Sequence, residues 1–333
     1  MRNKPAPRSR ITTIIMAVVT ALTLTACGDA ATGGEKPEDY PSKDMDWTIA
    51  FGPGGGNDIM ARKLIDLLNK QKLYPGDIRV ENREGGSGAT GWGYLFSHRG
   101  DPYGISTTSG SFITTPLQAS TGWTYDDFVP VGLLATDNAL FVVNSTSGIT
   151  SWQQWVQHAK TKGKVAVGGI GTVNIDFILH ALLARQAGYQ IDYVPFNDEG
   201  QLQTSLLSGA LDAAMSNPAE IAGQVRAGKM NGLMFTGGKP LASLPDIPTG
   251  ESLGYRDLPS MPRGLILAPD APKYAQDWWI ATMKKVVRSP EWKQYLTVNQ
   301  LTEDLRWGQD FHTYLKQTAG ELETVLREHG AIK

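Results

Sequence analysis

From Asp46 onward, short runs of β-branched and aromatic residues alternate with stretches whose apolar positions recur at helical spacing. Such alternation predicts parallel sheets covered by helices. Residues 47–51 read as a strand. Residues 59–69 read as a helix, because Ile59, Met60, Leu64, Ile65, Leu67 and Leu68 form one broad apolar face. A strand at 78–81, a helix at 88–98 and a strand at 105–108 complete a first series. The series then restarts with strands at 165–167, 191–194 and 211–216, separated by helices at 174–187 and 199–207. Two such series predict two lobes of similar construction.

Between them, 129–144 is a mostly apolar run interrupted at Asp137-Asn138, which reads as a strand pair passing from lobe one to lobe two. The return is expected at 232–236. Ser151-Trp152-Gln153-Gln154 has the form of a capping box, and Asn217-Pro218 places a cap residue before a proline suited to the first helical position. The tail from Ala271 reads as helices broken at Ser289-Pro290. Lobe one is therefore discontinuous, 46–136 plus 237–333, around a lobe two of 137–236. That topology leaves a cleft between the lobes.

The N-terminus changes the picture. Arg2, Lys4, Arg8 and Arg10 precede an uncharged apolar run at 11–24, the pattern of a secretion signal over 1–26. Leu24-Thr25-Ala26-Cys27 resembles a lipobox, and Cys27 is the single cysteine of the chain. A lone exported cysteine forms no internal disulfide, so lipidation at Cys27 is expected, with 27–45 as a flexible tether rich in Gly, Ala, Thr, Pro, Glu and Lys. Removing the signal takes away four of the 31 basic residues and none of the 33 acidic ones, moving the formal charge from −2 to −6. That balance argues against nucleic acid as a partner. No later apolar stretch is long enough to span a membrane.

Candidate chemistry gathers at strand ends. Phe51-Gly52-Pro53-Gly54-Gly55-Gly56-Asn57-Asp58 joins the first strand to the first helix, so its glycines expose backbone N–H groups at a helix N-terminus, which favours an anion. A dinucleotide fingerprint needs a glycine where Asn57 stands, and a phosphate loop needs Gly-Lys-Ser/Thr; neither is present. The same theme recurs at Gly85-Gly86-Ser87-Gly88, at Ser109-Gly110-Ser111 and at Gly168-Gly169-Ile170-Gly171-Thr172. Loops at the carboxyl ends of parallel strands are where open α/β sheets bind ligands. Hydroxyls, amides and glycines of this kind can hold a carboxylate with no fixed cation nearby.

The first loop, followed in order by Val80-Glu81-Asn82-Arg83, Ser109-Gly110, Phe128-Val129-Pro130-Val131, Tyr193-Val194-Pro195-Phe196, Leu207-Ser208-Gly209-Ala210-Leu211-Asp212, Ala227-Gly228-Lys229 and Leu244-Pro245-Asp246-Ile247-Pro248-Thr249, resembles the TctC family. These are the solute-binding, or Bug, receptors of tripartite tricarboxylate transporters. The resemblance runs from about residue 46 to 315. It implies an α/β type 2 periplasmic-binding-protein fold, capture of a small organic acid, and delivery to the membrane subunits of a permease. A ligand site at Phe51, Gly54, Gly55, Gly56, Asn57, Asp58, Ser109, Gly110, Ser111, Gly168, Gly169, Gly171, Thr172, Asn197 and Asn217 is implied with it. Presentation of ligand to a sensor kinase is the alternative. Asn57 stands where the family usually has Thr or Ser, Phe177 follows Asp176 where it often has His, and Asn197-Asp198-Glu199-Gly200 replaces a Gly-rich stretch that often carries Lys.

Catalysis finds little support. His98, His158, His180, His312 and His329 lack metal-ligand spacing, and Gly85-Gly86-Ser87-Gly88-Ala89 misses the last glycine of a nucleophile elbow. Asp101, Asp137 and Asp176 show no pairing. The expectation is a monomeric binding protein, not an enzyme, without metal or cofactor. If Asp198 or Glu199 faces the cleft, a dianion or a trianion such as citrate is disfavoured and a monocarboxylate bearing an amino, hydroxyl or aromatic group is preferred.

Overall fold

The computed structural model describes residues 36–333 apart from 171–173, 197, 198, 257, 329, 331 and 333. The predicted signal, Cys27 and the tether as far as residue 35 lie outside the described residues, as do Gly171, Thr172, Asn197 and Asp198.

Two sheets organise the chain. The first takes β1 (Met45–Ile49), β2 (Ile78–Asn82), β3 (Ile105–Thr107), β4 (Val129–Asp137), β10 (Met261–Leu267) and β11 (Thr302–Trp307), in the order β11-β4-β10-β3-β1-β2. The second takes β5 (Leu140–Asn144), β6 (Lys164–Ile170), β7 (Gln190–Phe196), β8 (Ala213–Ser216) and β9 (Met230–Phe235), in the order β7-β6-β8-β5-β9. Both are mixed, which corrects the expectation of parallel sheets. Strands β1, β2 and β3 are parallel, as are β6, β7 and β8, but β10 runs antiparallel to β3 and β4, and β5 antiparallel to β8 and β9. The parallel members are those followed by crossover helices, whereas β5 and β10 arrive directly from the other sheet and need no crossover.

The helices are α1 (Gly56–Lys70), α2 (Ala89–Ser97), α3 (Gly110–Gln118), α4 (Trp152–Lys162), α5 (Ile175–Ala187), α6 (Glu199–Leu207), α7 (Pro218–Arg226), α8 (Lys273–Val286), α9 (Pro290–Val298) and α10 (Gln309–Glu328). One face of the first sheet packs on α1, α8 and α9, where Trp47 and Trp279 meet edge to face with ring centroids 5.7 Å apart. The far face of the second sheet packs on α6 and α7 through Leu202, Leu206 and Ile221. Between these lies a shared cluster: Phe112, Leu133 and Ile266 from the first lobe join Phe141, Val167 and Ile178 from the second, with Phe311, Leu315 and Leu322 of α10 among them. Strand alternation decides which cluster each residue of β5 enters, since Phe141 and Val143 point to the shared one and Leu140 and Val142 to the far one.

The chain crosses between sheets at 137–140, where β4 ends and β5 begins. The return follows β9 rather than lying within 232–236, because β9 is still paired with β5. Thr236 ties the two passages together: its Oγ1 accepts from Ala139 N at 2.8 Å and its N–H donates to Ala139 O at 2.9 Å.

Three elements escape the periodicity. Strand β10 contains Pro262 and β11 is half charged, so neither reads as a strand; α3 is short and carries Pro116. The two anticipated caps form, with Ser151 Oγ accepting from Gln154 N and Asn217 Oδ1 from Ala219 N. The reciprocal half of the box goes elsewhere, as Gln154 Oε1 accepts from Thr150 N at 2.7 Å.

Candidate functional site

Five helix starts converge beside the crossings. Gly55 precedes α1, Ser109 precedes α3, Asn174 precedes α5, Glu199 opens α6 and Asn217 precedes α7, and all of them line one cleft of about 410 Å³. Phe51, Ala139, Ile170, Ile175, Leu179 and Met261 supply its apolar wall. A cleft of this size suits a small molecule.

The first-lobe side is built from uncapped backbone. Neither α1 nor α3 has a side-chain cap, so the N-cap side chains leave the N–H groups of Gly56, Asn57, Gly110 and Ser111 unclaimed at the cleft end of these helices. Ser109 is 6% exposed and its Oγ is buried without a hydrogen-bond partner among the described residues. Of the residues named from the sequence, Phe51, Gly55, Gly56, Asn57, Ser109 and Ser111 line the cleft.

Gly54 and Asp58 do not line it; they hold the loop. Gly54 has φ +84° and donates its N–H to Asp58 Oδ2 at 2.9 Å, while Asn82 Nδ2 donates to Asp58 Oδ1 at 3.0 Å and to Phe51 O at 2.9 Å. Burial opposes ionisation of Asp58, but the bonds from Arg62, Gly54 and Asn82 outweigh it and hold the carboxyl below its usual range. Gly55 is extended at φ −75°, so the glycine requirement sits on either side of it: Gly54 needs the positive φ, and a Cβ on Gly56 would lie 2.7 Å from the Arg263 guanidinium.

Arg263 corrects the expectation of a site without a fixed cation. It stands on β10 beside a β-bulge, where Arg263 pairs with Ala135 and Gly264 with Leu133, the kind of irregularity that re-aims side chains. Its guanidinium reaches the start of α1, donating to Asn57 Oδ1 at 3.4 Å, and forms an ion pair with Asp137. Both partners are buried at the base of the cleft. Asn217 Nδ2 also donates to Asp137 Oδ2, at 2.9 Å, but Asp137 Oδ1 has no hydrogen-bond partner among the described residues. A lone cation inside the apolar run Met261-Pro262-Arg263-Gly264-Leu265 was the sequence signal for this residue.

The second-lobe side is acidic. Asp176 lies in the first turn of α5, its Oδ2 accepting from Ile170 N at 2.8 Å. Burial pushes its pKa up to about 8, with Glu199 and Asp137 adding to the rise against the Ile170 bond. Glu199, half-buried, accepts from Ser216 Oγ at 2.8 Å; burial raises its pKa to about 7, and Glu220 and Asp137 push the same way. Glu220, in the first turn of α7, stands exposed at the rim. Three other anticipated residues sit behind the surface. Gly168 packs against Leu202 and Leu211, a Cβ on Gly169 would lie 2.5 Å from the Asp176 Cβ, and Gly110 lies under Met261. They let helices approach strands and do not line the cleft. Asn217 does line it.

The family model described as the tripartite tricarboxylate transporter family receptor, TctC, matches residues 60–330. The chain belongs to this family. A Cupriavidus necator protein described as "UPF0065 protein in gbd 5' region" is 26% identical over 92% of this chain and 94% of its own length. Among solved structures, a TctC solute-binding protein from Polaromonas without ligand superposes with a TM-score of 0.77 at 21% identity, covering 87% of this chain and 99% of that one. R. palustris Rpa4515 with adipate gives 0.74 at 19% identity, over 88% and 99%. These likenesses show the two-lobed periplasmic-binding-protein fold. TctC proteins are extracytoplasmic solute-binding receptors rather than enzymes, which places this chain in transport.

Proposed function

We propose that this TctC receptor captures a small carboxylate between its lobes and passes it to the membrane subunits of a tripartite permease, while lipid on Cys27 keeps it at the membrane. In this reading lobe one comprises 46–136 and 237–333, lobe two comprises 137–236, and the passages at Asp137 and beyond Thr236 act as the hinge. The observation that carries the ligand class is the pair of uncapped helix starts at Gly56 and Gly110, with Ser109, whose hydroxyl has no partner among the described residues, lining the cleft at the second. Free N–H groups at the positive end of a helix suit a carboxylate. The adipate in the R. palustris relative agrees with that chemistry.

Closure would replace the carboxylate's hydration with these donors, and a micromolar affinity asks for a net of about 8 kcal/mol. Native mass spectrometry of protein purified from its own cells, followed by calorimetry with a panel of mono-, di- and tricarboxylates and amino acids, tests the reading. One panel member is expected to bind at micromolar concentration and to leave unchanged. Turnover of the bound compound, or no binding across the panel, would defeat it.

A further inference from the structure

We infer that the ligand is a zwitterion, with its carboxylate on the first-lobe helix starts and a positively charged nitrogen against the carboxylates of the second lobe and the hinge. The inference rests on the receptor reading and names the ligand class within it.

The two walls of the cleft differ in how their helix dipoles are met. On the second lobe, α5, α6 and α7 each carry an acidic residue in the first turn, Asp176, Glu199 and Glu220, and all three line the cleft. Those positive helix ends are already answered by the chain's own carboxylates. On the first lobe, α3 has no acidic residue in its first turn, and the one in α1, Asp58, is bound into its loop away from the cleft. A ligand carboxylate is therefore attracted to one wall and repelled by the other.

The charge balance points the same way. Among the described residues, Asp137, Asp176, Glu199 and Glu220 line the cleft against one cation, Arg263, which is already ion-paired with Asp137. Once Asp176 and Glu199 are ionised, above about pH 8, a second ligand carboxylate would meet an excess of like charge in a space that loses water on closure. An independent observation asks for a donor: Asp137, 3% exposed, lines the cleft, and its Oδ1 has no hydrogen-bond partner among the described residues. A carboxylate oxygen only accepts, and an ammonium supplies the missing proton.

The groups facing the two titrating carboxyls fix the expected pH response. Around Asp176 stand the Ile170 N–H, Tyr193, Glu199 and Asp137, while His180, four residues on in α5, is held neutral by burial, its pKa lowered to about 4. Around Glu199 stand Ser216, Glu220, the Asn217 backbone and Asp137. No side-chain cation is among them. An ammonium placed there favours the ionised carboxyls, so its affinity rises with pH through the values of about 7 and about 8 for Glu199 and Asp176.

Calorimetry on the purified full chain tests this with length-matched pairs, β-alanine against succinate and γ-aminobutyrate against glutarate, from about pH 6 to about pH 8.5. The amino acid of at least one pair is expected to bind about tenfold or more tightly than its dicarboxylate, with affinity increasing with pH. Asp176→Asn/Glu199→Gln is expected to shrink that preference and to raise dicarboxylate affinity. Equal or tighter dicarboxylate binding by the wild type, with affinity falling as pH rises, overturns the inference and leaves the receptor reading standing: the raised carboxyls then donate protons to a second carboxylate. Absence of binding by any of the four compounds overturns the inference, and extension of that silence to the whole carboxylate panel overturns the receptor reading too.

Discussion

At the scale of single residues, the cleft holds groups whose ionisation works against folding. Asp176 and Glu199 have raised pKa values, so the folded chain prefers their protonated forms. The stability they confer is complete below their ordinary values of 3.8 and 4.5, and it is lost as pH climbs to about 8 and about 7. His180 opposes this at lower pH. Its pKa is depressed from 6.5 to about 4, so its contribution is complete above 6.5 and falls away as pH drops towards 4. Above pH 6.5 the carboxyls act without that opposition. The melting temperature of the ligand-free protein is expected to fall between about pH 6.5 and about pH 8, and Asp176→Asn should flatten the fall. A profile of identical slope in the variant would exclude Asp176 as its source. Arg263 belongs to the same scale. With Asp137 it forms a buried pair whose disruption from one side typically costs about 3–5 kcal/mol, so it is a structural cation as much as a ligand-facing one.

At the scale of elements, function rests on helix starts, and the sequence disclosed these unevenly. The glycine run before α1 and the Asn217-Pro218 cap were legible because local chemistry dictates them. Asn174, Ser109 and Glu199 mark helix starts by residue type, but only the assembled sheets reveal that they face one space. Strand β10 stayed hidden because Pro262 and Arg263 interrupt its apolar run, and with it went the one cation of the site. Gly168 and Gly169 looked like ligand glycines, yet their missing side chains make room for Leu202 and Asp176. A glycine signals close approach without saying what approaches. Ser109 yields the clearest element-level prediction. Its hydroxyl is buried and unpartnered, so Ser109→Ala removes no internal bond; stability is expected to stay level or rise by up to about 1 kcal/mol. Ligand affinity should fall about tenfold if the start of α3 holds the carboxylate. Equal affinity in calorimetry would move the carboxylate to another helix start.

At the scale of the whole molecule, the two-lobed plan followed from counting strand–helix series, while the mixed sheets did not, because strand direction depends on how the chain arrives and not on its periodicity. The N-terminal reading belongs here as well, since it decides where the receptor works. Cys27→Ser is expected to release soluble or unprocessed protein in cell fractionation. A processed variant still found in the membrane fraction would rule out lipid at this position. Finally, the place of β10 in its sheet has a consequence for biogenesis. It lies between β3 and β4, so the strands of the first 137 residues cannot close into one sheet until residues 261–267 arrive. The last helix, α10, then completes the cluster shared by both lobes. A nascent chain lacking its C-terminal quarter therefore has no finished first lobe to fold into. Synthesis alone thus holds the first lobe open until the last quarter of the chain has been made, whereas the strands of the second sheet are complete by residue 235.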